Sequence, residues 1–124
     1  MDKQKVLIVD DERDMVEVLL GRIERLGYES IVAYDGKEAL EKIETENPDL
    51  ILLDIAMPEP DGIGVLCWVR KQIKSMDTPV IVLSANSETE TMSRAQELGS
   101  IDYLIKPVKL TEVEAIIKKW LPQA

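Results

Sequence analysis

Five polar side chains stand at places where they could act together. Asp10 and Asp11 follow the apolar run Val6–Val9, and Asp54 follows Leu50–Leu53. Ser84 follows Val80–Leu83, and Lys106 follows Asp102–Ile105 and precedes Pro107. If these runs are strands of one parallel sheet, all five groups reach its carboxyl edge, where open α/β sheets bind ligands. Asp10, Asp11 and Asp54 would then be like charges in a setting of low dielectric, which favours a bound cation. The donors are all oxygens and the chain has no histidine, so a hard ion is expected, Mg²⁺ first. Mg²⁺ takes one or two carboxylates, keeps waters and leaves room for a phosphate oxygen. Lys106 is a point charge suited to a phosphate or a carboxylate. A carboxylate flanked by a cation, an ammonium and a hydroxyl can attack phosphorus and form an aspartyl phosphate. Simpler roles stand beside these. Asp10, Asp11 and Glu12 could only cap a helix, as could Ser84 or Ser87. Lys106 could be a structural partner of Asp54, and Tyr103 a core residue. Convergence on one edge favours the chemical reading.

The segments between the runs must position these groups. Met15, Val18, Leu19, Leu20, Ile23 and Leu26 recur at helical spacing, with Asp11 and Asp14 at the start and Gly27 at the end. Glu29–Tyr34 reads as a second strand. Asp35 caps a helix over Gly36–Glu46, built on Ala39, Leu40 and Ile43 and stopped by Pro48. The run into Asp54 is a doubly buried third strand, ended by Pro58, Pro60 and Gly62. Ile63, Leu66, Val69 and Ile73 mark a third helix, with Trp68 off the stripe. Pro79 opens a fourth strand, Val80–Leu83. A fourth helix over Ser87–Leu98 has a thin stripe of Met92, Ala95 and Leu98, which implies weak docking, and Gly99 closes it. Asp102–Ile105 is a fifth strand. A last helix, Leu110–Trp120, carries Leu110, Val113, Ile116, Ile117 and Trp120 on one face and ends before Pro122. Alternating strands and helices imply right-handed βαβ units, a parallel sheet and helices on both faces.

Composition narrows the function classes. The 124 residues fit one domain with a self-sufficient core. A net charge of −9 disfavours direct binding to nucleic acid or to an anionic membrane. Absence of histidine excludes a histidine base, histidine metal ligands and an internal phosphohistidine. Cys67 is the single cysteine, so no internal disulfide forms and a reducing cytoplasm is expected. No signal-peptide pattern or long apolar run suggests secretion or membrane insertion.

The motifs VLIVDDE (Val6–Glu12), LLDIAMPEPDG (Leu52–Gly62), VIVLSA (Val80–Ala85) and LGSIDYLIKP (Leu98–Pro107) closely resemble the receiver domain of two-component response regulators, over essentially the whole chain. The resemblance implies a flavodoxin-like fold with five parallel strands in the order 2-1-3-4-5 and five helices. It implies a single receiver domain over residues 1–124, with no effector domain in this stretch. Asp54 would be the phosphoacceptor. Asp11, Asp54 and the Ala56 backbone carbonyl would bind Mg²⁺, with Asp10 acting through water. Lys106 and Ser84 would hold the phosphoryl group, and the Lys106–Pro107 bond would be cis. Ser84 and Tyr103 would form the switch, read out on the face of the fourth helix, fifth strand and fifth helix. Ala56 and Asn86 would tune phosphoryl lifetime. The implied partners are a sensor histidine kinase or histidine phosphotransfer protein, and an output partner or effector domain that the sequence does not name. A phosphorylation-dependent dimer is among the outcomes. Such a protein signals, and its own chemistry is limited to Mg²⁺-dependent self-phosphorylation and autodephosphorylation. Pro60 and Ser100 depart from the commonest residues of the family, away from the acceptor chemistry.

Two other classes compete. A receiver-like interaction module that is never phosphorylated would not need the set Asp54, Asp11, Lys106 and Ser84. A Mg²⁺-dependent phosphatase working through an aspartyl phosphate needs a second Asp two residues after the nucleophile, where Ala56 stands. A dinucleotide enzyme is disfavoured because no Gly-rich loop follows the first strand.

Overall fold

The computed structural model describes residues 3–56, 61–72, 77–85 and 89–122. Five strands and five helices alternate: β1 (Lys5–Val9), α1 (Arg13–Arg25), β2 (Glu29–Ala33), α2 (Gly36–Glu46), β3 (Leu50–Asp54), α3 (Gly62–Lys71), β4 (Val80–Ser84), α4 (Thr89–Glu97), β5 (Asp102–Ile105) and α5 (Leu110–Trp120). All neighbouring strands are parallel, in the order β2-β1-β3-β4-β5, as the family resemblance implies. Every residue of β3 and β4 is buried, whereas the edge strands β2 and β5 mix buried and accessible positions. Unbroken apolar runs suit strands covered on both faces.

The two faces carry separate cores. On one, Val6, Ile8, Leu50, Leu52, Ile81, Leu83 and Leu104 pack with Val16, Leu19 and Ile23 of α1 and Val113, Ile116 and Ile117 of α5. On the other, Leu7, Val9, Ile51, Leu53, Val80 and Val82 pack with α2, α3 and Ala95 of α4. Side chains alternate along a strand with period two, so even and odd positions serve opposite cores.

One stripe residue of α1 is corrected. Val18 is 55% exposed, and Val16 is buried in its place. Val16, Leu19 and Ile23 are three and four residues apart and share a face, while Val18 lies across the helix axis from Val16. β2 ends at Ala33, one residue before Tyr34, because the Tyr34 N–H donates to Glu38 Oε1 at 2.7 Å. The Asp35 cap of α2 is present, accepting from the Glu38 N–H at 2.8 Å. Asn47, at φ 53°, ends that helix just before Pro48. Gly27, at φ 96°, follows α1 as expected. Trp68 is half-buried, and α4 offers buried Ala95 and half-buried Met92, with half-buried Leu98 just past its end. Pro58, Pro60, Ile73 and Ser87 lie outside the described residues.

Gly62 ties α3 to the end of β3. Its N–H donates to the Ile55 carbonyl at 3.2 Å. A Cβ there would collide with the Asp54 carbonyl oxygen and the Ile55 Cα. Because the collision is with backbone, no side chain can move to relieve it. Gly62→Ala is expected to cost about 1–3 kcal/mol of stability and to displace Asp54. Urea unfolding with and without Mg²⁺ checks both effects, since the variant should also lose most of any metal-induced stabilisation.

Candidate functional site

Strand parity delivers the site. Asp10 continues the alternation Val6, Ile8; Asp54 continues Leu50, Leu52; Lys106 continues Leu104. All three therefore extend the face that packs on α1 and α5. The ladder carries past the strand ends, because the Asp10 N–H donates to the Ala33 carbonyl, the Ile55 N–H to Leu83 and the Lys106 N–H to Ser84. The Lys106–Pro107 bond is cis.

Lys106 is the hub. Its Nζ lies 2.9 Å from Asp10 Oδ2, 2.9 Å from Glu12 Oε1 and 3.5 Å from Asp54 Oδ2. The Lys106 side chain is only 11% exposed and that of Asp10 is fully buried. Glu12 receives an aligned hydrogen bond from the ammonium. Asp10 Oδ2, equally near, is the one buried side-chain polar atom among the described residues without a hydrogen bond. Its other oxygen, Oδ1, accepts from the Glu12 N–H at 3.0 Å. Asp54 Oδ1 accepts from the Ala56 N–H at 3.2 Å.

These contacts set the charge states. Burial, followed by the charge of Asp10, pushes the Asp54 carboxyl up to about 6. Lys106 and the Ala56 N–H pull it down, and Asp11 adds a smaller push upward. Burial also opposes the charge on Lys106. Its contacts with Asp10 and Glu12, and the charges of Asp10 and Asp54, outweigh that and hold the ammonium above the ordinary lysine range.

A divalent cation fits the donor set. Asp10, Asp11 and Asp54 each offer a carboxylate oxygen, all within 4.8 Å of one another. They bring negative charge, hard oxygen donors and a buried oxygen with no hydrogen bond, which together suit Mg²⁺ better than a softer ion. Asp11 is exposed at the mouth, and Ala56 is exposed beside Asp54. Ser84 is buried at the end of β4, one residue beyond the register partner of Asp54. Tyr103 pairs with Val82 in register and is 40% exposed. Asn86 lies outside the described residues. Size does not locate this site. A 660 Å³ hollow lies at the opposite sheet edge, lined by Asp49, Arg70 and Trp120 among others.

Glu12 is the site residue that sequence reasoning placed only as a helix cap. It stands at the N-cap position of α1 but makes no side-chain cap, and it reaches Lys106 instead. The available signal was its place after two aspartates, with a side chain too long for the usual cap geometry.

The sign of the pH dependence follows. Asp54 holds its proton more tightly folded than unfolded, so the native state gains protons relative to the unfolded chain between about pH 4 and 6. Its contribution to stability is present below that window and is lost as pH rises through it. Lys106 is raised instead, so its contribution persists through neutral pH and is lost only above the ordinary lysine range. In chelator at pH 7.5, Asp54→Asn should therefore be more stable than the native chain by on the order of 1–3 kcal/mol, with the gap closing near pH 4.5. Lys106→Met should be less stable by about 3 kcal/mol at pH 7.5, because it leaves buried carboxylate unpaired. Chemical denaturation at the two pH values checks both signs.

Comparison with known proteins agrees with this geometry. The family model described as response regulator receiver domain matches residues 6–118. The alkaline phosphatase synthesis transcriptional regulatory protein PhoP of Bacillus subtilis is 44% identical over 93% of this chain, which covers 47% of that protein. The chain thus spans about half the length of the curated relatives it matches. Among solved structures, the receiver domain of the Francisella response regulator 1452 superposes with a TM-score of 0.85 at 39% identity, covering 94% of this chain and 95% of that one. The receiver domain of sensor histidine kinase PA1611 from Pseudomonas aeruginosa, solved with a magnesium ion in its active-site cleft, gives 0.87 at 30% identity, covering 98% and 99%. Family match, strand order and edge site coincide: this chain belongs to the response regulator receiver domains of two-component systems.

Proposed function

We propose that the chain is a Mg²⁺-dependent phosphoacceptor, a single receiver domain over residues 1–124 working in the cytoplasm. The supporting observation is the pairing of Asp54 with Lys106 beside Asp10, in a site whose carboxylates outnumber its cations. An Asp54 oxygen attacks the phosphorus of a phosphohistidine on a partner sensor kinase or phosphotransfer protein. The new O–P bond forms as the N–P bond breaks, and the partner's imidazole leaves and takes up a proton. Bound Mg²⁺ would neutralise charge on the phosphoryl oxygens and the attacking carboxylate. Asp11, Asp54 and the Ala56 carbonyl would hold it, with Asp10 acting through water; the magnesium seen in the PA1611 receiver domain supports this. Lys106 supplies positive charge to the phosphoryl oxygens, and the Ser84 hydroxyl donates to one of them. Such transfer needs positioning and charge more than acid–base groups, which suits a chain without histidine.

Phosphorylation of Asp54 would shift Lys106 and Ser84, and Tyr103 would turn inward behind Ser84. The α4-β5-α5 face would carry the signal. Ile101, Tyr103 and Ile105 are all exposed there, and the thin stripe of α4 suits a movable element. Ala56 and Asn86 would set phosphoryl lifetime. The output is a partner, a second phosphorylated copy or an effector segment of a longer polypeptide; the name of the Bacillus relative, a transcriptional regulator, favours the last. Among the described residues no helix is long and apolar enough to cross a membrane, and the net charge of −9 disfavours direct nucleic-acid binding by this domain. Beyond its own phosphorylation and autodephosphorylation, no enzymatic role is assigned.

Intact mass after incubation with Mg²⁺ and acetyl phosphate tests the proposal. One phosphoryl adduct is expected on the native chain and none in chelator or in Asp54→Asn. No adduct on the native chain with Mg²⁺ bound would leave a constitutive interaction module as the better reading.

A further inference from the structure

Lys106 divides its ammonium among three carboxylates, and one of them has no role in the acceptor chemistry. Glu12 Oε1 takes the aligned hydrogen bond at 2.9 Å. Asp10 Oδ2 is as close without one, and Asp54 Oδ2 is farther, at 3.5 Å. The ammonium is therefore shared at equal distance between buried Asp10 and the outermost carboxylate, Glu12, whose side chain is 60% exposed, while Asp54 is the farthest of the three. Glu12 leaves α1 without a side-chain cap, and reaches from the end of β1 to Lys106 at the end of β5, with β3 and β4 between them. The two contacts differ in character. The Asp10–Lys106 pair is dry and costly to break, whereas the Glu12–Lys106 pair faces water and is cheap to break.

We propose that Glu12 is a releasable tether. It holds Lys106 toward the rim while Asp54 is unmodified, and competes with a tetrahedral oxyanion on Asp54 for the same ammonium protons. Asp10 acts as the pivot, keeping the lysine in place while its hydrogen-bond direction changes. Glu12 is thus a positioning residue that sets how readily the site takes a phosphoryl group. This rests on the phosphoacceptor reading above.

The test is calorimetric titration of beryllium trifluoride, a phosphoryl mimic, into native protein, Glu12→Gln and Glu12→Ala at saturating Mg²⁺. Both variants should bind it about two- to fivefold more tightly, the range set by a solvent-facing ion pair. The difference should vanish toward 1 M salt, where the screening length is about 3 Å. A role in capping or folding would move the melting temperature but would not give a salt-dependent gain in anion affinity. Native protein that binds the mimic, with variants of equal or lower affinity, overturns the tether and leaves the acceptor reading standing. Native protein that binds neither the mimic nor a phosphoryl group overturns both.

Discussion

Negative charge in excess at the carboxyl edge of a parallel sheet is the constraint on which this structure depends. Asp10 and Asp54 are buried there, with Asp11 just outside, and one ammonium, Lys106, stands among them. Burial and the charge of Asp10 keep the Asp54 carboxyl well above its ordinary range. A hydrophobic core alone would not tolerate such a cluster. It persists because two well-packed sheet faces supply the stability that the site lacks. The same imbalance gives the edge its affinity for a cation and makes a phosphoryl group with its metal a natural completion.

The scaffold solves a placement problem with little material. Parallel strands all point the same way, so a residue at or just past the end of each is enough to bring distant parts of the chain together. Asp10, Asp54 and Lys106 are far apart in sequence, yet all are even-numbered continuations of strands whose even positions face α1 and α5. A shift of one residue in any strand would send the group to the opposite core. Gly62 matters for the same reason. It lets α3 begin against the backbone of Asp54 and Ile55, where any side chain would push the acceptor aside.

The opposite face shows looser construction on the side of α4. Among the described side chains of that helix Ala95 is the buried one, and Tyr103 and Ile105 of the neighbouring edge strand remain exposed. The site is thus buried where charge must be held, and lightly packed beside the edge strand that leads into Lys106.

Much of this was legible in the sequence, for definite reasons. Unbroken apolar runs identify the central strands, glycine, proline and Asx residues mark the turns, and parallel connectivity then forces Asp10, Asp54, Ser84 and Lys106 to one edge. The stripe of α1 was less plain, because Val16 and Val18 are both valines in an amphipathic helix; spacing from Leu19 and Ile23 favours Val16, and packing against the sheet buries it. The role of Glu12 was not legible either. An acidic residue at the start of a helix reads as a cap, and its bond to Lys106 exists only because the sheet order sets the end of β1 within reach of a residue 94 positions away. The sequence by itself determined which groups reach the edge, because strand ends and side-chain parity are local properties. Tertiary structure decided how the single ammonium is shared among the carboxylates, because that depends on distances and burial set by the packing of all five strands.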